Sequence, residues 1–201
     1  MTEFIVDTIP YSEARHFIIE HHYSKGCHNG ASPCFGLWSM SSILLGVLMF
    51  ATPCSENVRR SVFGVTRKDA VLELHRLVIL DCTPSNTESA FVSCCLRELR
   101  KLRKEIQAVV SFADPSAGHR GVIYQACNFW YYGRTSAATF WKDQTGRLRH
   151  PRQNGRNVSK EETVRRGWIA ERRAGKHRYV FLYDRKAIAD CILPITKEYP
   201  K

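Results

Sequence analysis

Apolar and polar positions alternate along the chain in patterns that change every ten to twenty residues. Residues 3–9 form a short apolar-rich run that predicts a strand. From Pro10 onward Ala14, Phe17, Ile18 and His21 recur near the 3.6-residue period, predicting a helix that ends at His22-Tyr23-Ser24. After a loop containing Gly26, Gly30 and Pro33, residues 34–40 and 42–51 are two β-rich runs separated by a polar turn and predict a hairpin. Residues 53–69 read as a basic loop, and 71–80 as a strand that enters the centre of a sheet. Thr83-Pro84-Ser85-Asn86 then supplies a proline-set turn and capping residues for a long helix, with Phe91, Val92, Cys95, Leu96, Leu99, Leu102 and Ile106 along one face. A buried strand over 108–114 is stopped by Pro115, and Gly118 and Gly121 lead into a short helix over 122–127. The aromatic strand 129–133 comes next. The order β-α-β-β-β-α-β-α-β predicts an α/β chain of the α+β kind, a central mixed sheet flanked by helices.

Residues 142–155 are polar and turn-rich. Ser159 with Glu162 three positions on makes a capping box, predicting a helix that Gly175 ends, and 176–183 reads as a last strand. Residues 1–141 are thus expected to form the core, with 142–201 a basic helix-plus-strand extension completing the same domain. A chain of 201 residues buries about 70% of its unfolded surface, and an apolar share of 44% excludes a disordered chain. The longest apolar run, residues 43–51, is far short of the ~20 residues a membrane-spanning helix needs. The first residues lack a secretory signal, and a cytoplasmic protein is expected. Eight cysteines without a CxxC pair are expected to be reduced core thiols. His21, His22, Cys27, His28 and Cys34 include zinc-ligand types, but their spacing fits no regular structural zinc pattern.

Charge adds a partner to this picture. The formal net charge is +11, and residues 142–201 carry +9 of it. Arg147, Arg149, His150, Arg152, Arg156, Arg165, Arg166, Arg172, Arg173, Lys176 and Arg178, interleaved with Trp141 and Trp168, are the candidate contacts to a polyanion, double-stranded DNA. Trp130, Tyr131 and Tyr132 read as strand core.

The most specific stretch is residues 114–129, Asp-Pro-Ser-Ala-Gly-His-Arg-Gly-Val-Ile-Tyr-Gln-Ala-Cys-Asn-Phe. It resembles the later part of the N-acetyltransferase-like (GNAT-like) fold, in which a strand splays from its neighbour and a following helix bears a tyrosine that often protonates a departing coenzyme A thiolate. Tyr124 is the matching residue. The phosphate-binding turn of that fold carries glycines, whereas residues 81–90 here have none. Ser85, Asn86, Thr87 and Ser89 are left as the cofactor-binding candidates.

Taken with His22-Tyr23-Ser24, Glu73-Leu74-His75-Arg76, Asn86, Ser89 and Gly175-Lys176-His177-Arg178-Tyr179, that stretch makes the chain resemble the Mom family of bacteriophage DNA-modification proteins over residues 10–183. The resemblance implies conversion of adenine to its N6-carbamoylmethyl derivative, which shields phage DNA from restriction in the host cytoplasm. It points to His22, Tyr23, Arg76, Ser89, Asp114 and Tyr124 as catalytic candidates. The group donor is left open between acetyl-coenzyme A and a related acyl donor. The family's suggested use of iron makes His22, Tyr23 and Asp114 a candidate ligand set. A base inside a duplex is usually flipped out for chemistry, and a homodimer would suit duplex DNA.

Each candidate also has a plainer role. Arg76 and Asp114 can be an ion pair between neighbouring strands, Ser89 a first-turn helix residue, and His22-Tyr23 the end of the first helix. Three rival functions stand beside the main one: an adenine-N6 methyltransferase, for which Asp114-Pro115-Ser116-Ala117 lacks the second proline and the aromatic residue; a GNAT-type acetyltransferase acting on a protein or small-molecule amine; and a non-catalytic DNA-binding protein.

Overall fold

A computed structural model describes residues 4–22, 26, 27, 29–149, 152, 153 and 156–201, with 152, 153, 156 and 157 described by backbone alone. Seven strands make the main sheet. They are β1 (Phe4–Thr8), β2 (Cys34–Ser39), β3 (Leu44–Ala51), β4 (Val71–Ile79), β5 (Ala108–Ala113), β6 (Trp130–Arg134) and, from the far end of the chain, β12 (His177–Leu182). Their spatial order is β1-β2-β3-β4-β5-β12-β6. Every neighbouring pair is antiparallel except β4 and β5. The mixed sheet expected from the pattern is therefore present, as is the hairpin of β2 and β3.

Helix α3 (Thr87–Leu102) comes after β4 and lies on one face of this sheet. Its apolar stripe of Phe91, Val92, Cys95, Leu96 and Leu99 packs on Phe35, Leu37, Phe50, Leu72, Leu74 and Val109. Full burial of each large side chain contributes about 1.5–3 kcal/mol before the entropy cost. Ile106, expected on that helix, lies beyond its end but joins the same core. Strand residues alternate between faces, so Val47 and Met49 of β3 meet Ala14, Phe17 and Ile18 of α1 (Tyr11–His21) on the opposite side. Farther along that face Val110 and Val180 pack with Val62, Phe63 and Ala187. The last of these belongs to α6 (Arg185–Asp190), in a tail whose sequence carried no pattern. No described helix is long and apolar enough to cross a membrane.

Several local expectations fail. The basic loop contains a helix, α2 (Glu56–Ser61), whose Glu56 gathers Arg59, Arg60 and Lys68. The capping box is real, Ser159 Oγ accepting from the Glu162 N–H at 3.1 Å, but the helix it opens, α5 (Lys160–Arg165), is only six residues long. Gly167, at φ +63°, turns the chain out of it. The chain then enters β11 (Ile169–Arg173), paired with β7 (Ala138–Lys142), which pairs in turn with β8 (Leu148–Arg149) in a second, three-stranded sheet. Gly175 ends no helix; a Cβ there would overlap the Thr135 carbonyl oxygen, so glycine permits a close backbone approach. β9 (Arg152–Gln153) and β10 (Arg156–Asn157) form a two-residue ladder, and α4 (Val122–Ala126) is the short helix before β6.

Candidate functional site

The site begins with a fault in the sheet. β4 and β5 pair only from Val71↔Ala108 to Glu73↔Val110, and beyond that register they separate. The Ser111 hydroxyl, donating to the Leu74 carbonyl at 3.1 Å, spans the point of divergence. β4 is also irregular against β3: Leu74 and Arg76 face the consecutive residues Phe50 and Met49, so His75 is a bulged extra residue. A bulge exchanges the inward and outward faces for the remainder of its strand. Leu77 thereby joins Leu72 and Leu74 on the α3 face, while Arg76 lies across from Met49, on the α1 face.

The splay opens a cleft of about 290 Å³. His22, Glu73, His75 and Arg76 line it from one side, Asp114, His119, Arg120 and Tyr124 from the other, with Lys176 at its edge. His22 is the C-cap of α1, its N–H donating to the Ile18 carbonyl at 2.9 Å, so the plain capping role and a place in the cleft coexist. The Arg76 guanidinium donates to the Gly26 carbonyl at 2.8 Å and to the His75 carbonyl at 2.7 Å. It is thereby fixed between α1's loop and its own strand, and no Arg76–Asp114 ion pair forms. The cation paired with Asp114 among the described residues is Arg173, 3.9 Å away and held over the Phe140 ring. Asp114 also accepts the Ser116 N–H at 2.9 Å, capping the 3-10 turn that Pro115 starts.

Tyr124 stands on α4 with its ring 5.3 Å from those of Phe129 and Tyr179. The wall that carries it is stiff. Tyr179, fully buried on β12, donates its hydroxyl to the Arg120 carbonyl and accepts from Gln125 Nε2 at 3.3 Å, tying the 118–121 loop and α4 to the sheet.

The cleft thus unites His22, Arg76, Asp114 and Tyr124, whereas Tyr23 lies outside the described residues. Ser89 is not brought in; its hydroxyl donates to the Asn86 carbonyl at 3.0 Å, the plain first-turn role. Glu73, His75, His119 and Arg120 escaped the site prediction. Their signal was polarity where none was needed, charged side chains in a strand and a glycine-flanked turn otherwise built for burial. Lys176, expected on phosphate, also lines the cleft.

The basic residues divide. Arg147, Arg165, Arg166, Arg172 and Lys176 are exposed. Arg149 is tied to Asp143 at 2.7 Å, Arg178 lies over Tyr132 and donates to its carbonyl at 3.0 Å, and Arg173 serves Asp114. Arg172 and Arg173 were expected on a helix; on strand β11 they point to opposite faces, which is why one is free to solvent and the other is not. His28, His150 and the side chains of Arg152 and Arg156 lie outside the described residues.

Neither group implied for the site fits the described residues well. The turn before α3 bears Asp81 and Glu88 and no basic residue, and the Thr87 hydroxyl, like that of Ser89, donates to a backbone carbonyl, Pro84 at 2.6 Å. A coenzyme pyrophosphate there would meet two carboxylates and no cation. Ser85 and Asn86 remain at the turn, Asn86 in the left-handed region at φ 68° without a side-chain cap bond. For iron, Asp114 is already engaged by Arg173 and the Ser116 amide. No three His, Cys, Asp or Glu side chains cluster for a metal among the described residues. The cysteines are free thiols. Burial pushes Cys34 up to about 11 and raises Cys95 and Cys127, thiols that pack as small apolar groups, but Cys54 and Cys82 are exposed and do not belong to the core as expected.

Comparison with known proteins agrees with this architecture. An acetyltransferase of Bacillus subtilis, solved in complex with CoA, superposes with a TM-score of 0.52 over 92% of this chain and 100% of its own at 12% identity. The ribosomal-protein-S5-alanine acetyltransferase of Vibrio fischeri does so with 0.52 over 92% and 96% at 9% identity. At such identities the likeness establishes the fold, which is GNAT-like. In sequence the chain is 35% identical over 140 residues to the methylcarbamoylase mom of Escherichia phage Mu, an alignment that spans 70% of this chain and 57% of that protein. The chain thus covers little more than half the length of that relative. A family model described as the Mom protein family matches residues 3–201, nearly the whole sequence, and the chain belongs to that family.

Proposed function

We propose that this protein is a DNA-modifying transferase that places a carbamoylmethyl group on the exocyclic N6 of adenine. The observation that carries the reading is the convergence of Asp114, Tyr124, Arg76 and His22 on one cleft where β4 and β5 part, beside the cationic strand β11. At about 290 Å³ the cleft lies at the bottom of the ~300–1,000 Å³ range of small-molecule sites, a volume suited to one flipped base. Family membership, and the name of the phage Mu relative, support the class of reaction.

Adenine N6 is a weak nucleophile because its lone pair is delocalised into the ring, so transfer requires a proton acceptor and a stabilised leaving group. The Asp114 carboxylate takes the N6 proton as the new N–C bond forms. Arg76, immobilised by two carbonyls, faces negative charge that develops on the donor, and the Tyr124 hydroxyl protonates the atom that leaves. No step is assigned to coenzyme A or to iron, whose fit the local residues do not support. The N6 amino group is one of the donors that distinguish adenine in the major groove, so its substitution blocks enzymes that read it, including restriction endonucleases.

Mass spectrometry of nucleosides from DNA of cells expressing the protein tests this directly. A carbamoylmethyl gain on deoxyadenosine is expected, absent in Tyr124→Phe and Asp114→Ala variants that remain folded. A methyl gain, or unaltered DNA together with acetylation of another amine, would overturn the assignment. Full modification by both variants would relocate the site.

A further inference from the structure

The loop that walls the cleft has a second side. There a recess of about 620 Å³ is lined by Pro115, Gly118, Arg120, Tyr131, Arg134 and His177 together with Pro200 and Lys201; no acidic side chain lines it among the described residues. Neither Arg120 nor Arg134 makes an ion pair among the described residues, although both line this one recess, so two arginines stand there without an acidic side chain paired to either.

The hydrogen bonds in the recess have a direction. Arg134 Nη2 is 3.1 Å from His177 Nε2, and a guanidinium only donates, so Nε2 accepts and the neutral ring carries its proton on Nδ1. That nitrogen donates to the Tyr131 oxygen at 3.3 Å, which leaves the Tyr131 hydroxyl hydrogen without an acceptor among the described residues. His177 is 4% exposed, so this chain of hydrogen bonds is built into the sheet rather than draped on it. Its pKa is lowered first by burial and then by Arg134 and Arg120, so the field of both guanidinium groups reaches the ring. A field that repels a proton attracts an anion.

We infer that this recess holds a backbone phosphate of the DNA strand whose adenine enters the cleft, a contact that rests on the function proposed above. Gly118 and Arg120 line both sites, so base and phosphate lie on the two sides of one short loop. Tyr179 fixes that loop through the Arg120 carbonyl, so the backbone that carries the cation is held in place before DNA arrives. Arg120, Arg134 and the Tyr131 hydroxyl supply charge-assisted and neutral donors to the phosphate oxygens, and the site positions the nucleotide without reading its sequence.

Two measurements test the inference. In the first, the His177 ring is followed by NMR while the protein is titrated with a short duplex containing adenine, with the same duplex bearing one neutral methylphosphonate beside the target adenine, and with inorganic phosphate alone. The native duplex is expected to raise the pKa of His177, the methylphosphonate duplex to lose that rise, and inorganic phosphate at equal concentration to leave the ring unchanged. Equal response to both duplexes overturns the proposal, and a full response to inorganic phosphate makes the recess a free-anion site instead. In the second, Arg120→Gln/Arg134→Gln, which removes one phosphate contact, is expected to lower the slope of log affinity against log salt by about 1, so the affinity lost between 50 and 200 mM salt shrinks roughly three- to fourfold. An unchanged slope in the folded variant overturns the phosphate contact while the proposed reaction stands. If the unaltered protein binds no DNA, both fall.

Discussion

Gly121 offers the sharpest test of how the cleft wall is held. It adopts φ +79° at the start of α4, and a Cβ there would overlap the Tyr179 ring, lying 2.6 Å from Cζ and 2.8 Å from Oη. Tyr179 has nowhere to go. It is fully buried, and its ring is packed 5.3 Å from Tyr124 and 5.5 Å from Tyr131. Gly121→Ala thus costs about 1–2 kcal/mol for a left-handed alanine, plus about 1–3 kcal/mol for forcing a filled core apart. Gly118 is the built-in control. Its φ is +77°, but a Cβ there meets nothing within 4 Å, so Gly118→Ala carries only the conformational cost. In a chain of this length each kcal/mol lowers the melting temperature by roughly 2–4 °C. Thermal unfolding followed by circular dichroism should place Gly121→Ala about 2–12 °C below Gly118→Ala. Because Gly121 precedes Tyr124 on α4, modification of DNA should fall further in the Gly121 variant as well. Equal melting temperatures for the two variants would refute the claim that the Gly121–Tyr179 contact constrains the wall.

Charge sets two more expected outcomes. His177 has a lowered pKa, so between its native value and the ~6.5 of an unfolded histidine the unfolded chain binds more protons; stability therefore falls as the pH drops through that window. Urea melts at pH 7.5 and 5.5 should show a steeper acid loss for the unaltered protein than for His177→Gln, and parallel losses would contradict the assignment. Arg173 and Arg172 should behave differently despite adjacency: Arg173→Met removes the cation beside Asp114 and should lower modification without changing the salt dependence of DNA binding. Arg165→Gln/Arg166→Gln/Arg172→Gln should flatten that dependence, and a flattening of equal size in Arg173→Met would place Arg173 on the phosphates after all.

The legible parts of this chain were those whose signals are local. The proline after Asp114, the apolar stripe of α3 and the turn between β2 and β3 each act within a few residues, and each element formed where its pattern stood, α3 ending one turn before the stripe did. The capping box at Ser159 was equally local and equally real, but a cap states where a helix begins and not how far it runs; Gly167 and the pairing of Ile169–Arg173 with β7 decided that. Among the site residues, Asp114 and Tyr124 were visible because they sit in one contiguous motif. Arg120 lies in the same motif but its role was not visible, and neither were Glu73, His75 and Arg134, because nothing near them in sequence shows what faces them.

By itself, then, the amino-acid order determined most strands and helices up to β6, the concentration of positive charge toward one end, and the family resemblance. Tertiary structure alone decided that β12 inserts between β5 and β6, that β4 and β5 part after Glu73, that a bulge at His75 turns Arg76 to the α1 face, and that Asp114 takes Arg173 rather than Arg76 as its cation. The division has a physical cause. Periodicity, caps and prolines bias a chain through its own neighbouring dihedral angles, whereas strand order and charge pairing are settled by which distant surfaces can be buried together with their polar groups satisfied.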